Sequence, residues 1–188
     1  MSLVEGRVCG GCVECCRFIA IDTDGLQKPS NVLCTHCSEG VGCEVYSVRP
    51  SVCSGWHCLW RSMPQLSDDW RPDISGIVIR PDDIDRNDVT FTIIDPLKRY
   101  LSEGFAQVIG MFAQAGYSVR VQFMGLPGQL PATLDLTSQL KNPVQQRHLN
   151  GVLTVLANAR DGLSAFSWRS DGLGMRSDLL ARSNSVET

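Results

Sequence analysis

With 188 residues, 43% of them hydrophobic and 20% charged, and a net charge of −3, the chain falls in the globular range and outside the disordered one. The length suits one ordinary domain, or one small module with a compact second layer, and excludes a multidomain machine. No run approaches the ~18 consecutive apolar residues of a membrane span, and the opening Met1-Ser2-Leu3-Val4-Glu5-Gly6 lacks the basic-then-apolar order of a signal peptide, so a cytoplasmic protein without membrane attachment is expected.

The first 58 residues hold all nine cysteines: Cys9, Cys12, Cys15, Cys16, Cys34, Cys37, Cys43, Cys53 and Cys58. Between them, Phe18 to Ile21 reads as a short strand ending at an Asp24-Gly25 turn, and Pro50 as the start of a helical turn that leads to Cys53. The rest of residues 1–73 has the pattern of loops. A module of that kind is expected to draw much of its folding free energy, on the order of ten kcal/mol, from bound metal. Trp56, Trp60 and Trp70 fall near the cysteines, either as large side chains filling a core poor in aliphatics or as an aromatic shell around a metal centre.

From Ile74 the pattern becomes regular. Ile74 to Arg80 and Val89 to Ile94 read as a strand pair joined by a solvated turn rich in aspartate (Asp82, Asp83, Asp85, Asp88). Asp95 and Pro96 then cap and open a helix over 96–115, with Leu97, Leu101, Phe105, Val108, Ile109 and Phe112 on one face and Gly116 as its stop. Ser118 to Met124 alternates as a third strand. Leu126 to Pro131 is a proline-glycine loop, and Asn142-Pro143 opens a second helix with Val144, Val152, Leu153 and Leu156 inward. The expected class is therefore α+β: a loop-rich cysteine module packed on a β-β-α-β-α layer over 74–162, with helices on one face of a mainly antiparallel sheet. Residues 163–188 are expected to form a mobile C-terminal extension.

The cysteines carry the chemistry. An odd count, an expected reducing compartment and a vicinal pair weigh against a disulfide framework. Cys9-x2-Cys12-x2-Cys15-Cys16 and Cys34-x2-Cys37 are metal-binding steps, because two thiolates three residues apart can swing to one side of a tight turn and meet one ion at about 2.3 Å. Redox dithiols and plain buried thiols are the competing readings. The spacing leaves open two tetrathiolate zinc sites, zinc with a cubane, or a single [4Fe-4S] cluster, and it speaks against calcium or magnesium. Cys15 and Cys16 are expected to serve two centres or to bridge two ions, since neighbouring side chains point apart. His36 and His57 are candidate nitrogen ligands, whereas His148 is expected at the surface or core edge. Arg17, Arg49 and Arg61 are candidate partners for the excess negative charge of thiolates.

These residues also carry a resemblance. Cys9-Gly-Gly-Cys12-Val-Glu-Cys15-Cys16-Arg17-Phe18, Gly42-Cys43-Glu44-Val45-Tyr46 and Arg49-Pro50-Ser51-Val52-Cys53 resemble the bacterial zinc- or iron-chelating domain family, with its C-x2-C-x2-C-C opening and its G-C-x-(I/V)-Y-x-x-R-P-x-x-C centre. Trp56-His57-Cys58-Leu59-Trp60 and Arg71-Pro72-Asp73-Ile74-Ser75-Gly76 extend the likeness to about residue 80. The resemblance implies a zinc, iron or iron–sulfur centre on the matching cysteines. A similar cysteine arrangement occurs in flagellin lysine methylases, whose cysteine-rich part is associated with an iron–sulfur cluster.

Two function classes follow. The first is a metal-binding protein that holds zinc or iron through clustered thiolates, acting on or with a protein partner. The second is an iron–sulfur enzyme or electron carrier, including one that modifies protein, as in lysine methylation. A nucleic-acid binder ranks last, because residues 1–70 carry five basic against eight acidic side chains, the wrong sign for a phosphate-facing surface. There is no Ser-His-Asp order, no G-x-x-x-x-G-K-[ST] loop and no complete G-x-G-x-x-G turn to assign a catalytic class, and enzyme status stays open.

Overall fold

The computed structural model describes residues 2–83, 87–166 and 168–170. The protein is α+β, with two hydrophobic clusters of very different size. Most of the expected C-terminal extension lies outside the described residues.

The larger cluster is built on a four-stranded sheet in sequence order: β5 (Ile77–Asp83), β6 (Asp88–Ile93), β7 (Ser118–Phe123) and β8 (Ala132–Asp135). β5–β6 and β7–β8 are antiparallel, while β6–β7 is parallel because helix α5 (Glu103–Gln114) crosses over between them. Strand alternation places Ile77, Ile79, Val89, Phe91, Ile93, Val119, Val121 and Phe123 on the face that α5 covers. Phe91 sits edge-on to both Phe105 and Phe112, with ring centroids 5.4 and 5.5 Å away. The opposite face is polar and internally bonded. Arg80 pairs with Asp82, and Arg120 reaches Asp82, Asp88 and Asp135, so Asp82 and Asp88 belong to the sheet's ion network instead of a freely solvated turn.

Helix α5 is shorter than the apolar periodicity predicts. Its cap is Ser102, whose Oγ accepts the Phe105 N–H at 3.1 Å, and Asp95 instead closes a local turn by accepting the Leu97 N–H at 3.0 Å. Tyr100 explains the break: it is fully buried and donates its hydroxyl to the Leu156 carbonyl at 2.6 Å, which draws residues 96–101 off the helix axis and leaves Leu97 93% exposed. Two further elements depart from expectation. β8 lies within a stretch not read as a strand, and α6 (Thr137–Gln145) starts ahead of Pro143 and carries that proline inside its last turn. Asp135 accepts the Thr137 N–H and Thr137 Oγ1 accepts the Val119 N–H, so the helix start is anchored to the sheet and not to the proline. Arg147, with φ of 51°, then turns the chain into α7 (Leu149–Asp161), whose Val152 and Leu156 are buried as expected while Leu153 is half-buried.

The amino-terminal part is held together differently. α1 (Glu14–Phe18) occupies the place where a strand was expected to begin, and the strand β1 (Ile21–Thr23) pairs with β2 (Leu26–Lys28) around the Asp24-Gly25 turn. A two-residue ladder joins β3 (Cys37–Ser38) to β4 (Gly42–Cys43), and short helices follow at α2 (Ser51–Ser54), α3 (Leu59–Ser62) and α4 (Pro72–Ser75). Ile74 therefore lies in a helix, and β5 begins three residues later than expected. The buried cluster here is Val13, Leu26, Cys34 and Cys37 alone, whereas Cys58, Leu59, Trp60, Leu66 and Trp70 belong to the core of the sheet. Trp60 and Trp70 thus fill that core, and Trp56 is the tryptophan that lines the cysteine cavity. No helix among the described residues is long and apolar enough to cross a membrane.

Candidate metal centre

All nine cysteines line one cavity of about 170 Å3, and all nine are free thiols. Each is delivered by a short local device. Cys9-Gly10-Gly11-Cys12 closes a turn through Cys12 N–H to the Cys9 carbonyl at 3.0 Å, and Cys34 to Cys37 closes the same turn at 3.0 Å. α1 carries Cys15 and Cys16, with sulfurs 3.9 Å apart. The Cys34 N–H donates to the Cys16 carbonyl, also at 3.0 Å, which locks the first cysteine segment to the second. Cys37 and Cys43 face each other across β3–β4. Pro50 immediately precedes α2 and its carbonyl accepts the Cys53 N–H, and Cys58 precedes α3.

The glycines between the cysteines allow loops to touch. Gly42 has φ of +106°, and a Cβ there would lie 2.1 Å from the Gly10 carbonyl oxygen; a Cβ at Gly11 would lie 2.7 Å from the Gly40 oxygen. The Cys9–Cys12 turn and the loop before Cys43 are thus interlocked through backbone.

Hydrogen bonds from Cys15 and Cys37 hold the Cys16 thiol well below its ordinary value, with Lys28 and Arg49 adding to the effect. Cys34 is lowered to about 6, mainly by its hydrogen bond with Cys37. Cys15 and Cys37 are correspondingly raised, each first of all by the bond to Cys16. The Cys15 and Cys16 sulfurs, 3.9 Å apart, thus turn toward each other, where neighbouring side chains were expected to point apart. Burial dominates elsewhere, pushing Cys12 up to about 12 and Cys58 up to about 11.

Three arginines expected as charge partners have three different fates. Arg17 is diverted to an ion pair with Glu39. Arg49 lies over the Tyr46 ring at 4.0 Å, with Nη2 3.2 Å from His57 Nε2. Arg61 is buried and donates Nη1 to Cys9 Sγ at 3.2 Å and to the Tyr46 hydroxyl at 3.0 Å. His36 and His57 both line the cavity, with the His57 ring already engaged by Arg49; burial and the nearby guanidinium groups keep His57 below its usual value. His148 is exposed at the α6–α7 elbow, outside the cavity lining. Lys28, which no sequence pattern singled out, is buried beside the site and donates Nζ to the carbonyls of Arg17, Pro29 and Val32.

Among the described residues no carboxylate lines the cavity, and its donor set of thiols with two imidazoles and the Tyr46 phenol suits soft thiophilic ions and not calcium or magnesium. Among the described residues, no group of three or more His, Cys, Asp or Glu stands in ion-holding geometry: the thiols share a cavity without closing on a point. Fold and site together define an α+β protein with a cavity walled by cysteine. Comparison with protein-family models, curated proteins and solved structures finds no match to this chain.

Proposed function

We propose that this is a cytoplasmic metal-binding protein of the zinc- or iron-chelating domain type, which holds zinc or iron through its clustered thiolates and works with a protein partner or substrate. The observation that carries this reading is the convergence of all nine cysteines, from a span of 50 residues, on one cavity without a disulfide among them. The small amino-terminal cluster supports it as well. Val13 and Leu26 are its buried non-cysteine members, with Ile21 and Leu33 packed against them half-buried, and so few apolar side chains at ~1.5–3 kcal/mol each cannot order some fifty residues of loop unaided. Cys16, Cys34 and Cys37 are the first candidate ligands, because the Cys34 N–H bond to the Cys16 carbonyl and the Cys34–Cys37 turn hold their segments together.

The size of the cavity favours a second form of the same centre. One water needs only ~10–15 Å3 of such space, so about 170 Å3 accommodates a polynuclear group. An iron–sulfur cluster in an electron carrier or a protein-modifying enzyme, such as one acting on lysine, fits that volume, and such a cluster would supply one-electron chemistry when bound. Metal analysis and a visible spectrum of anaerobically purified protein test both forms. A brown sample with broad absorption near ~400 nm supports the cluster, and a colourless sample with zinc supports tetrathiolate sites. Protein that takes up neither metal refutes the proposal.

A further inference from the structure

Lys28 is only 3% exposed. Its ammonium donates to the carbonyls of Arg17 at 2.6 Å, Pro29 at 2.9 Å and Val32 at 2.9 Å, and it has no carboxylate partner among the described residues. A buried ammonium satisfied by carbonyls alone keeps its whole positive charge uncompensated, which is costly unless an anion lies near. Burial lowers the Lys28 ammonium to about 8, and the cysteine side chains of Cys34, Cys16 and Cys15 oppose that shift, in that order. Its carbonyl partners belong to the segment leaving Cys16 and the segment entering Cys34, so the same side chain braces both cysteine-bearing strands of chain.

Arg61 repeats this arrangement at another group of thiols. It is 6% exposed, has no carboxylate partner among the described residues, leaves Nε without a hydrogen bond and donates to Cys9 Sγ at 3.2 Å. The Arg61 N–H also meets the Cys58 carbonyl at 3.0 Å. A guanidinium does not lose its proton, so this charge too requires an anion beside it.

We infer that the cavity is divided into two separately compensated metal sub-sites: Cys16, Cys34 and Cys37 with Lys28 as buried counter-ion, and Cys9 and Cys58 with Arg61. The inference rests on the metal-binding reading above and gives Lys28 a positioning and charge-balancing role.

The test is alkylation by iodoacetamide of the zinc-loaded full chain, mapped cysteine by cysteine by mass spectrometry. Lys28→Gln keeps N–H donors for the carbonyls and removes the charge; it should speed alkylation of Cys16, Cys34 and Cys37 by about tenfold and leave Cys9 and Cys58 within about twofold of wild type. Arg61→Gln should do the reverse, and Lys28→Arg should restore the wild-type pattern. Equal exposure of all these cysteines in both variants means one undivided centre. Full protection in Lys28→Gln means that Lys28 is only a strut. Either result overturns the inference while leaving metal binding intact. A second measurement needs no variant: substoichiometric zinc added to the metal-free wild type should protect one set before the other, and simultaneous protection of both sets overturns the division. A wild type that takes up no zinc or iron defeats the metal-binding reading and this inference with it.

Discussion

Gly42→Ala puts the interlocked loops to a direct test. The position has φ of +106°, where an alanine carries strain of ~1–3 kcal/mol, and its Cβ would stand 2.1 Å from the Gly10 oxygen. Since nonbonded carbon and oxygen atoms rest at about 3.3 Å or beyond, the two loops must part by ~1 Å, and the partner is backbone that cannot rotate aside. Strain and lost loop contact together give a destabilisation of about 3 kcal/mol, near the upper end for a single substitution. In a chain of this length that lowers the midpoint of thermal unfolding by about 6–12 °C. The same displacement moves Cys9 and Cys12 away from Cys43, so metal bound per chain should fall as well. Circular dichroism melts and metal analysis read the two effects, with Gly25→Ala as control, because Gly25 has no atom within 4 Å of its would-be Cβ and no positive φ. A Gly42→Ala protein that melts with the wild type and retains its metal would refute the claim that backbone contact between these loops positions the thiols.

Three further outcomes are expected. Chelation should raise amide hydrogen exchange across residues 9–57 and leave β5 to β8 protected, because the former have a four-residue buried cluster and the latter sit in the main core; uniform exchange along the chain would contradict this. In the metal-free protein, Cys34 should begin to react with iodoacetamide near pH 6, whereas Cys12 and Cys58, held at about 12 and about 11, should stay inert at pH 8. The signs for stability are opposite: the Cys34 contribution is present above the ordinary value of 9.0 and lost as pH falls through about 6, while that of Cys12 is present below 9.0 and lost as pH rises through about 12, so urea midpoints of the metal-free chain should shift accordingly. Tyr100→Phe removes the hydroxyl bonded to the Leu156 carbonyl and should cost about 1–3 kcal/mol in urea unfolding, with no change in metal content, since Tyr100 lies in the sheet core.

Much of this protein was legible in local pattern. The β5–β6 pair, the buried Phe105, Ile109 and Phe112 of α5, its stop at Gly116 and the alternation of β7 all follow from periods of two and 3.6 residues, and those periods survive folding because they are properties of the backbone. The turns that deliver Cys9 with Cys12 and Cys34 with Cys37 were readable for the same reason. Other features depend on a partner far along the chain. Ser102 displaced Asp95 as helix cap because Tyr100 had a carbonyl to reach 56 residues away, and α6 runs through Pro143 because its first turn is tied to Val119.

At the site itself, sequence established which atoms are available: nine thiols, two imidazoles beside them and too few aliphatic side chains nearby to form a core. Tertiary structure decided how they are used. It sent Arg17 to Glu39 and Arg61 to Cys9, buried Lys28 between two cysteine segments, and set Gly42 against Gly10. Ligand spacing is written in covalent geometry a few residues long, whereas charge compensation and loop contact join residues tens of positions apart, and only the folded chain brings those together.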